Sequence, residues 1–177
     1  METFHSIRDI KAGDELTVSY VSGICARQER QEQLNKWGFQ CRCPACENTS
    51  SGIQLESKLA RLAVLNQRVN MLIPDEQKLD MYQTMAALMH SIGLVGKSLH
   101  QCYLDAAFYS AVSGNVRMAV LWTEKEVEIN YRCIGQDRPD YQKELTVLHQ
   151  LKQAANSAKA FHYMQIDWIM DWDQGPS

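Results

Sequence analysis

Between residues 55 and 92 apolar side chains recur at steps of three and four. Leu55, Leu59, Leu62, Leu65, Val69 and Leu72 form one such stripe, and Leu79, Tyr82, Met85, Ala86, Met89 and Ile92 form a second beyond Pro74. That period lines residues along one face of a helix. It predicts two amphipathic helices, the first running up to Pro74, the second capped by Asp75 and ended by Gly93 and Gly96. Further helices are expected over 98–113, 115–134, and from Asp137 or Pro139 toward 158. Ala106, Ala107, Ala111 and Ala119 allow two of these helices to approach closely. Met71, Met81, Met85, Met89 and Met118 read as core filler, the usual use of a flexible thioether.

Near the start of the chain the period changes to two. Residues 4–10 alternate loosely, Lys11-Ala12-Gly13-Asp14 reads as a turn, and residues 15–21 alternate again with Leu16, Val18 and Tyr20 on one face. Two short strands are expected, with the Tyr20 ring buried and its hydroxyl seeking a partner or a pocket. Ser22-Gly23 breaks the pattern. Residues 24–37 then read as a helix whose outer face carries Arg27, Glu29, Arg30, Glu32 and Lys36, with Gly38 as its left-handed stop. Asn48-Thr49-Ser50-Ser51-Gly52 is a polar run and the expected domain boundary. The fold class is therefore mainly α, with a short β portion first and an array of helical hairpins over 53–177.

Composition limits what such a chain does. At 177 residues, 45% apolar and 22% charged, it has the profile of an ordinary globular protein holding one domain or one domain and a small appendage. A net charge of −3 with no basic run argues against direct nucleic-acid binding. No apolar run reaches the roughly eighteen residues of a membrane span, and Met1-Glu2-Thr3-Phe4-His5 lacks the features of a signal peptide. The chain reads as intracellular, in nucleus or cytoplasm. In that setting its six cysteines are read as metal ligands or thiols rather than disulfides.

Cys41, Cys43 and Cys46 concentrate the chemistry. Zinc prefers a tetrahedral shell of sulfur and nitrogen, and the two-residue gap between Cys43 and Cys46 lets a tight turn aim both thiols at one ion. Pro44 stiffens that turn. Cys41 shares a face with Cys43 if the chain enters extended. The plain alternative is three ordinary thiols. A closed site needs a fourth ligand, for which Cys25, His5 or sequence outside this chain are the candidates. His90, His100, His149 and His162 are scattered and read as structural or exposed. The aromatic, acidic tail with Phe161, Tyr163, Ile166, Trp168, Ile169 and Trp172 reads as a last docked helix or an adhesive surface.

Two motifs in series carry a resemblance. Ile10-Lys11-Ala12-Gly13-Asp14-Glu15-Leu16-Thr17-Val18-Ser19-Tyr20, an Arg/Gln/Glu-rich helix, and Trp37-Gly38-Phe39-Gln40-Cys41-Arg42-Cys43-Pro44-Ala45-Cys46 together resemble the end of a SET domain and its post-SET zinc motif. The order of parts, helical tail included, is most similar to the SET-MYND group of protein-lysine methyltransferases and their fungal relatives. The resemblance covers the first 48 residues. It implies a SET portion over 1–36, a post-SET zinc motif over 37–48, and a helical C-terminal domain. It also implies that the Tyr20 hydroxyl orients a substrate lysine amine toward the methyl group of S-adenosylmethionine. Trp37 and Phe39 would pack against that cofactor and wall the lysine channel, and Cys41, Cys43 and Cys46 would hold zinc. Around Tyr109, Gly114-Asn115 and Ala119 the sequence also resembles the turn of a tetratricopeptide hairpin, although Thr123 and Glu126 depart from that motif.

The sequence departs from the SET pattern as well. It holds neither the Asn-His-x-Cys motif nor the Gly-x-Gly turn that the family uses for the cofactor, the former also supplying a zinc thiol. The expectation is a C-terminal fragment of a methyltransferase that is inactive alone. Two other readings stay open: a helical interaction module whose SET remnant is vestigial, and a zinc-stabilised protein without methyl chemistry. In any of these, protein partners or substrates would meet the helical region.

Overall fold

The computed structural model describes residues 6–7, 9–16, 18–21, 24–43 and 45–157. Six helices follow one another: α1 (Arg27–Asn35), α2 (Ser50–Val69), α3 (Asp75–Ser91), α4 (Lys97–Val112), α5 (Val116–Ile134) and α6 (Pro139–Asn156). His5, Ser22, Gly23, Pro44, His162 and the tail from Phe161 lie outside the described residues.

The chain is mainly α, and the two expected strands do not form among the described residues. What forms is the turn between them. Asp14 donates its N–H to the Lys11 carbonyl at 3.0 Å and accepts the Lys11 N–H on its carboxylate at 3.0 Å, with Gly13 at φ +94°. A strand is stable only when paired along its edge and covered on its apolar face. Here Leu16, Val18 and Tyr20 are 74%, 60% and 56% exposed. The alternation is present, but among the described residues no layer covers it, and Tyr20 is exposed rather than buried.

Local chemistry explains the helix ends. Thr49 Oγ1 accepts the Gly52 N–H at 3.2 Å, so the polar run at 48–52 supplies the cap and first turn of α2. Pro74, not Asp75, occupies the cap of α3, and Asp75 and Glu76 stand in its first turn, where the helix dipole favours acids. Asn115 Oδ1 accepts the Met118 N–H to start α5, and Pro139 opens α6.

From α2 onward each helix packs on the next, so the chain folds as a series of hairpins. One core lies among α2, α3, α4 and α5, built around Leu62, Met89, Leu99, Tyr103 and Ala106. A second, smaller core joins the end of α4 to α5 and α6 through Ala111, Ala119, Leu151 and Ala154. Ala106, Ala107 and Ala111 on α4 and Ala119 on α5 are all buried, and the two helices pack on each other. Met85 and Met89 are core residues, whereas Met71 and Leu72 are exposed because α2 stops at Val69.

Candidate functional site

The three clustered thiols converge. The sulfurs of Cys41, Cys43 and Cys46 all lie within 4.8 Å of one another. A tetrahedral zinc at its usual bond length would set sulfurs about 3.8 Å apart, so the cluster fits such an ion with small adjustment. Backbone turns produce the arrangement: Cys46 and Glu47 both donate N–H groups to the Cys43 carbonyl, at 2.8 and 3.0 Å. Burial works against a Cys43 thiolate, but hydrogen bonds from Cys41, Cys46 and the Ala45 and Cys46 backbone outweigh it and lower its pKa. Cys41 is raised: the Cys43 N–H favours its thiolate, yet burial and the neighbouring thiols prevail. The trio therefore stabilises one thiolate readily, the form that binds metal. Cys25, a candidate fourth ligand, is buried, but its sulfur does not belong to this close group.

Arg30, expected on the charged outer face, ties the knot in place together with Gln31 and Glu56, which the sequence pattern did not single out. Arg30 is 6% exposed. Its guanidinium donates to the Cys25 carbonyl at 2.7 Å, to the Ala45 carbonyl at 3.1 Å and to the Glu56 carboxylate at 3.3 Å. Glu56, on α2, also accepts the Arg27 N–H at 2.9 Å. One arginine thus ties α1, the thiol loop and α2 together, a use of its fixed fork of donors. Gln31 adds a second tie, donating to the Cys41 carbonyl at 2.9 Å and accepting the Cys41 N–H at 3.3 Å. A charged helix looks the same in sequence whether one of its charges faces inward or all face water, so Arg30, Gln31 and Glu56 escaped the pattern.

Beside the knot stands an aromatic group. Helix α1 ends in the turn Lys36-Trp37-Gly38, with Gly38 at φ +80° as the expected left-handed stop. That turn brings Trp37 and Phe39 to Tyr20. The Tyr20 ring meets Trp37 edge-on at 5.9 Å between centroids and Phe39 at 5.6 Å. Trp37 is 66% and Phe39 41% exposed, so the three rings form an open apolar surface next to the thiols. The six residues singled out from the sequence thus form two groups, Tyr20 against the two rings and the thiols in their own knot, joined along the chain by the two-residue step from Phe39 to Cys41.

A second polar cluster, which no sequence spacing revealed, sits in the helical region. His100 Nε2 lies 3.0 Å from a Glu126 oxygen and 3.1 Å from a Glu144 oxygen. Asn130 donates to both oxygens of Glu144 at 2.6 Å. Glu126 is almost fully buried. Burial disfavours the imidazolium, but the two carboxylate hydrogen bonds raise the His100 pKa to about 9. Burial raises Glu126 to about 7 despite the bond to His100. Glu144 is lowered: burial opposes its anion, and the bonds to His100 and Asn130 overcome that. His90 is also partnered, with the Tyr103 hydroxyl.

Comparison with known proteins gives a consistent kinship. No family model matches the sequence, and no solved structure matches it significantly. Curated relatives do. Histone-lysine N-methyltransferase SET5 of Scheffersomyces stipitis is 27% identical over 126 residues, covering 71% of this chain and 22% of that protein. The protein of the same name in Meyerozyma guilliermondii is 50% identical over 42 residues, 23% of this chain and 9% of the relative. A SET and MYND domain-containing protein of Dictyostelium discoideum is 43% identical over 53 residues, 29% and 14% of the two chains. The chain is thus similar to SET-domain histone-lysine methyltransferases and spans about a fifth or less of these relatives. The 126-residue match is too long for the N-terminal region alone and takes in much of the helical region. Among the described residues no helix is long and apolar enough to cross a membrane.

Proposed function

We propose that this chain carries the C-terminal part of the catalytic apparatus of a SET-type protein-lysine methyltransferase, with a post-SET zinc knot and a tetratricopeptide-like helical region. The observation that carries the reading is the meeting of Tyr20 with Trp37 and Phe39 beside three convergent thiols, in a chain similar to enzymes of that class.

The chemistry suits these residues. S-adenosylmethionine supplies a methyl group on a cationic sulfonium, which a neutral lysine amine displaces in line. Such a step needs alignment and a dry, narrow approach more than acid or base strength. The Tyr20 hydroxyl would accept a hydrogen bond from the amine and hold its lone pair toward the methyl. Trp37 and Phe39 would favour cations over their faces, each worth about 0.5–2 kcal/mol. Cys41, Cys43 and Cys46 would hold zinc, fixing Phe39 two residues from the first ligand. Three open rings make only one wall of a channel. The Asn-His-x-Cys and Gly-x-Gly motifs do not occur here, so the chain alone is expected to be inactive. The helical region would receive protein substrate or partner, with action in nucleus or cytoplasm.

The test is a chimera in which this chain replaces the matching stretch of the Scheffersomyces protein. It should transfer methyl groups to a lysine substrate. Tyr20→Phe should cut transfer about a hundredfold with zinc content unchanged. A folded, zinc-loaded chimera that is equally active with and without the Tyr20 hydroxyl would remove the catalytic reading. The second reading, a helical interaction module with a vestigial SET remnant, would then stand, supported by the five successive packed helices.

A further inference from the structure

His100, Glu126 and Glu144 come from three successive helices, α4, α5 and α6, and meet inside the fold. Among the described residues no lysine or arginine forms an ion pair with either glutamate. The same imidazole Nε2 faces both carboxylates, and one N–H cannot fully satisfy two anionic oxygens. Asn130 compensates Glu144 from α5, and no such amide reaches Glu126. Asp105, on α4 itself, adds a further negative group that feels the His100 charge. Helix α3, packed on α4, reaches Asp105 through the Tyr82 hydroxyl, and among the described residues it gives His100, Glu126 and Glu144 neither a hydrogen bond nor an ion pair.

Charge balance follows. With an imidazolium and both glutamates ionised, His100, Glu126 and Glu144 together hold one uncompensated negative charge, Asp105 apart, in a largely buried site. One further proton, shared by the two carboxyl groups, makes it neutral. Each proton removed leaves like charges facing each other at short range. The member able to withdraw is Glu144, because α6 is the outer helix of the three.

We propose that this cluster is a proton-held clasp that docks the first half of α6 on α4 and α5 and loosens as pH rises. The second half of α6 is anchored differently, through fully buried Leu151, through Ala154, and through the exposed Lys152–Glu124 pair at 2.7 Å. Opening is therefore confined to the part of α6 that precedes Val147, which packs on the second core; it would part the Tyr141–Tyr131 ring contact and uncover the α5 face that carries Glu126. Glu126 and His100 both hold protons more tightly here than in an unfolded chain, so both resist opening in acid and favour it in base, whereas the lowered Glu144 acts in the opposite sense at acid pH.

Hydrogen–deuterium exchange of the whole chain at pH 6 and pH 9, each amide referenced to its intrinsic rate at that pH, tests the clasp. Residues 139–146 should lose protection about tenfold while α3 is nearly unchanged. Glu126→Gln, similar in shape but without a titrating proton, should reduce that loss to less than about half. Glu144→Gln, at a less buried position, should do the same and serves if the first variant does not fold. Equal protection of residues 139–146 at the two pH values would overturn the proposal. So would variants that keep the wild-type dependence.

Discussion

The two regions of this molecule use their apolar residues in opposite ways. Helices α2–α6 bury Leu62, Leu99 and Leu151 completely, whereas the N-terminal region leaves Leu16 at 74% and Trp37 at 66% exposure. The helical region is therefore held by hydrophobic burial, roughly 2 kcal/mol for each such side chain. The N-terminal region is held by directed polar ties, Arg30 and Gln31 above all. A region ordered that way keeps its aromatic side chains available for a ligand. The contrast teaches that order and burial are separable, and that a site-bearing surface is fixed by few, nameable bonds.

The largest expected effect sharpens this contrast. Leu62→Ala or Leu99→Ala should lower the unfolding free energy of the helical region by about 3 kcal/mol in a urea titration. Leu16→Ala should change it by less than about 0.5 kcal/mol. Comparable losses from both substitutions would break the comparison.

Next comes Arg30. Arg30→Ala deletes ties to the Cys25 and Ala45 carbonyls and leaves Glu56 without its cation. We expect a loss of about 2 kcal/mol confined to the N-terminal region, read as faster exchange of residues 25–47 with α3 to α5 unaffected. An effect spread evenly over the chain would contradict separate modes of support.

The pH response is of similar size. The His100 pKa is about 9 in the fold against 6.5 for the free side chain, so its stabilisation is complete below about pH 6.5 and lost as pH rises toward 9. Glu126 acts in the same direction at lower pH, its contribution fading from about 4.5 toward 7. Glu144 is lowered and acts oppositely, its contribution disappearing in acid. Thermal or urea unfolding of the helical region should therefore show a decline of roughly 2 kcal/mol between pH 6.5 and 9. A rise over that interval would contradict the assignment of the cluster.

The smallest effect is expected at the thiols. If zinc is held by only three sulfurs, affinity is weak, and Cys43→Ser should remove the metal while changing global stability by less than about 1 kcal/mol. Metal analysis of the purified chain and a urea titration measure the two together. A large stability loss would indicate a closed site with a fourth protein ligand.

Much of this was legible in the sequence, and the exceptions have physical causes. The helices of residues 50–156 follow from a three-and-four period backed by real burial, so pattern and structure agree within a few residues. The thiol knot follows from spacing, since a short backbone turn needs no distant partner. The strands failed because alternation records only a face to be covered: Leu16 and Val18 stay mostly exposed, and Tyr20 meets only the edges of Trp37 and Phe39 among the described residues. Glu126 was visible as a polar residue at a core position of a helical hairpin. Its partners His100 and Glu144, 26 residues upstream and 18 downstream in the numbering, come together only through helix packing. Arg30 was hidden for a related reason: two of its partners are backbone carbonyls, which carry no sequence signature, and the third, Glu56, lies 26 residues away.

The most direct test of the central claim is a calorimetric titration of S-adenosylmethionine into the zinc-loaded chain, alone and extended by the sequence encoded upstream of it. The account predicts no binding by the chain alone and saturable binding by the extended form, weakened about tenfold or more by Phe39→Ala. An extended form that folds and holds zinc yet ignores the methyl donor, or binds it equally well without the Phe39 ring, would contradict it.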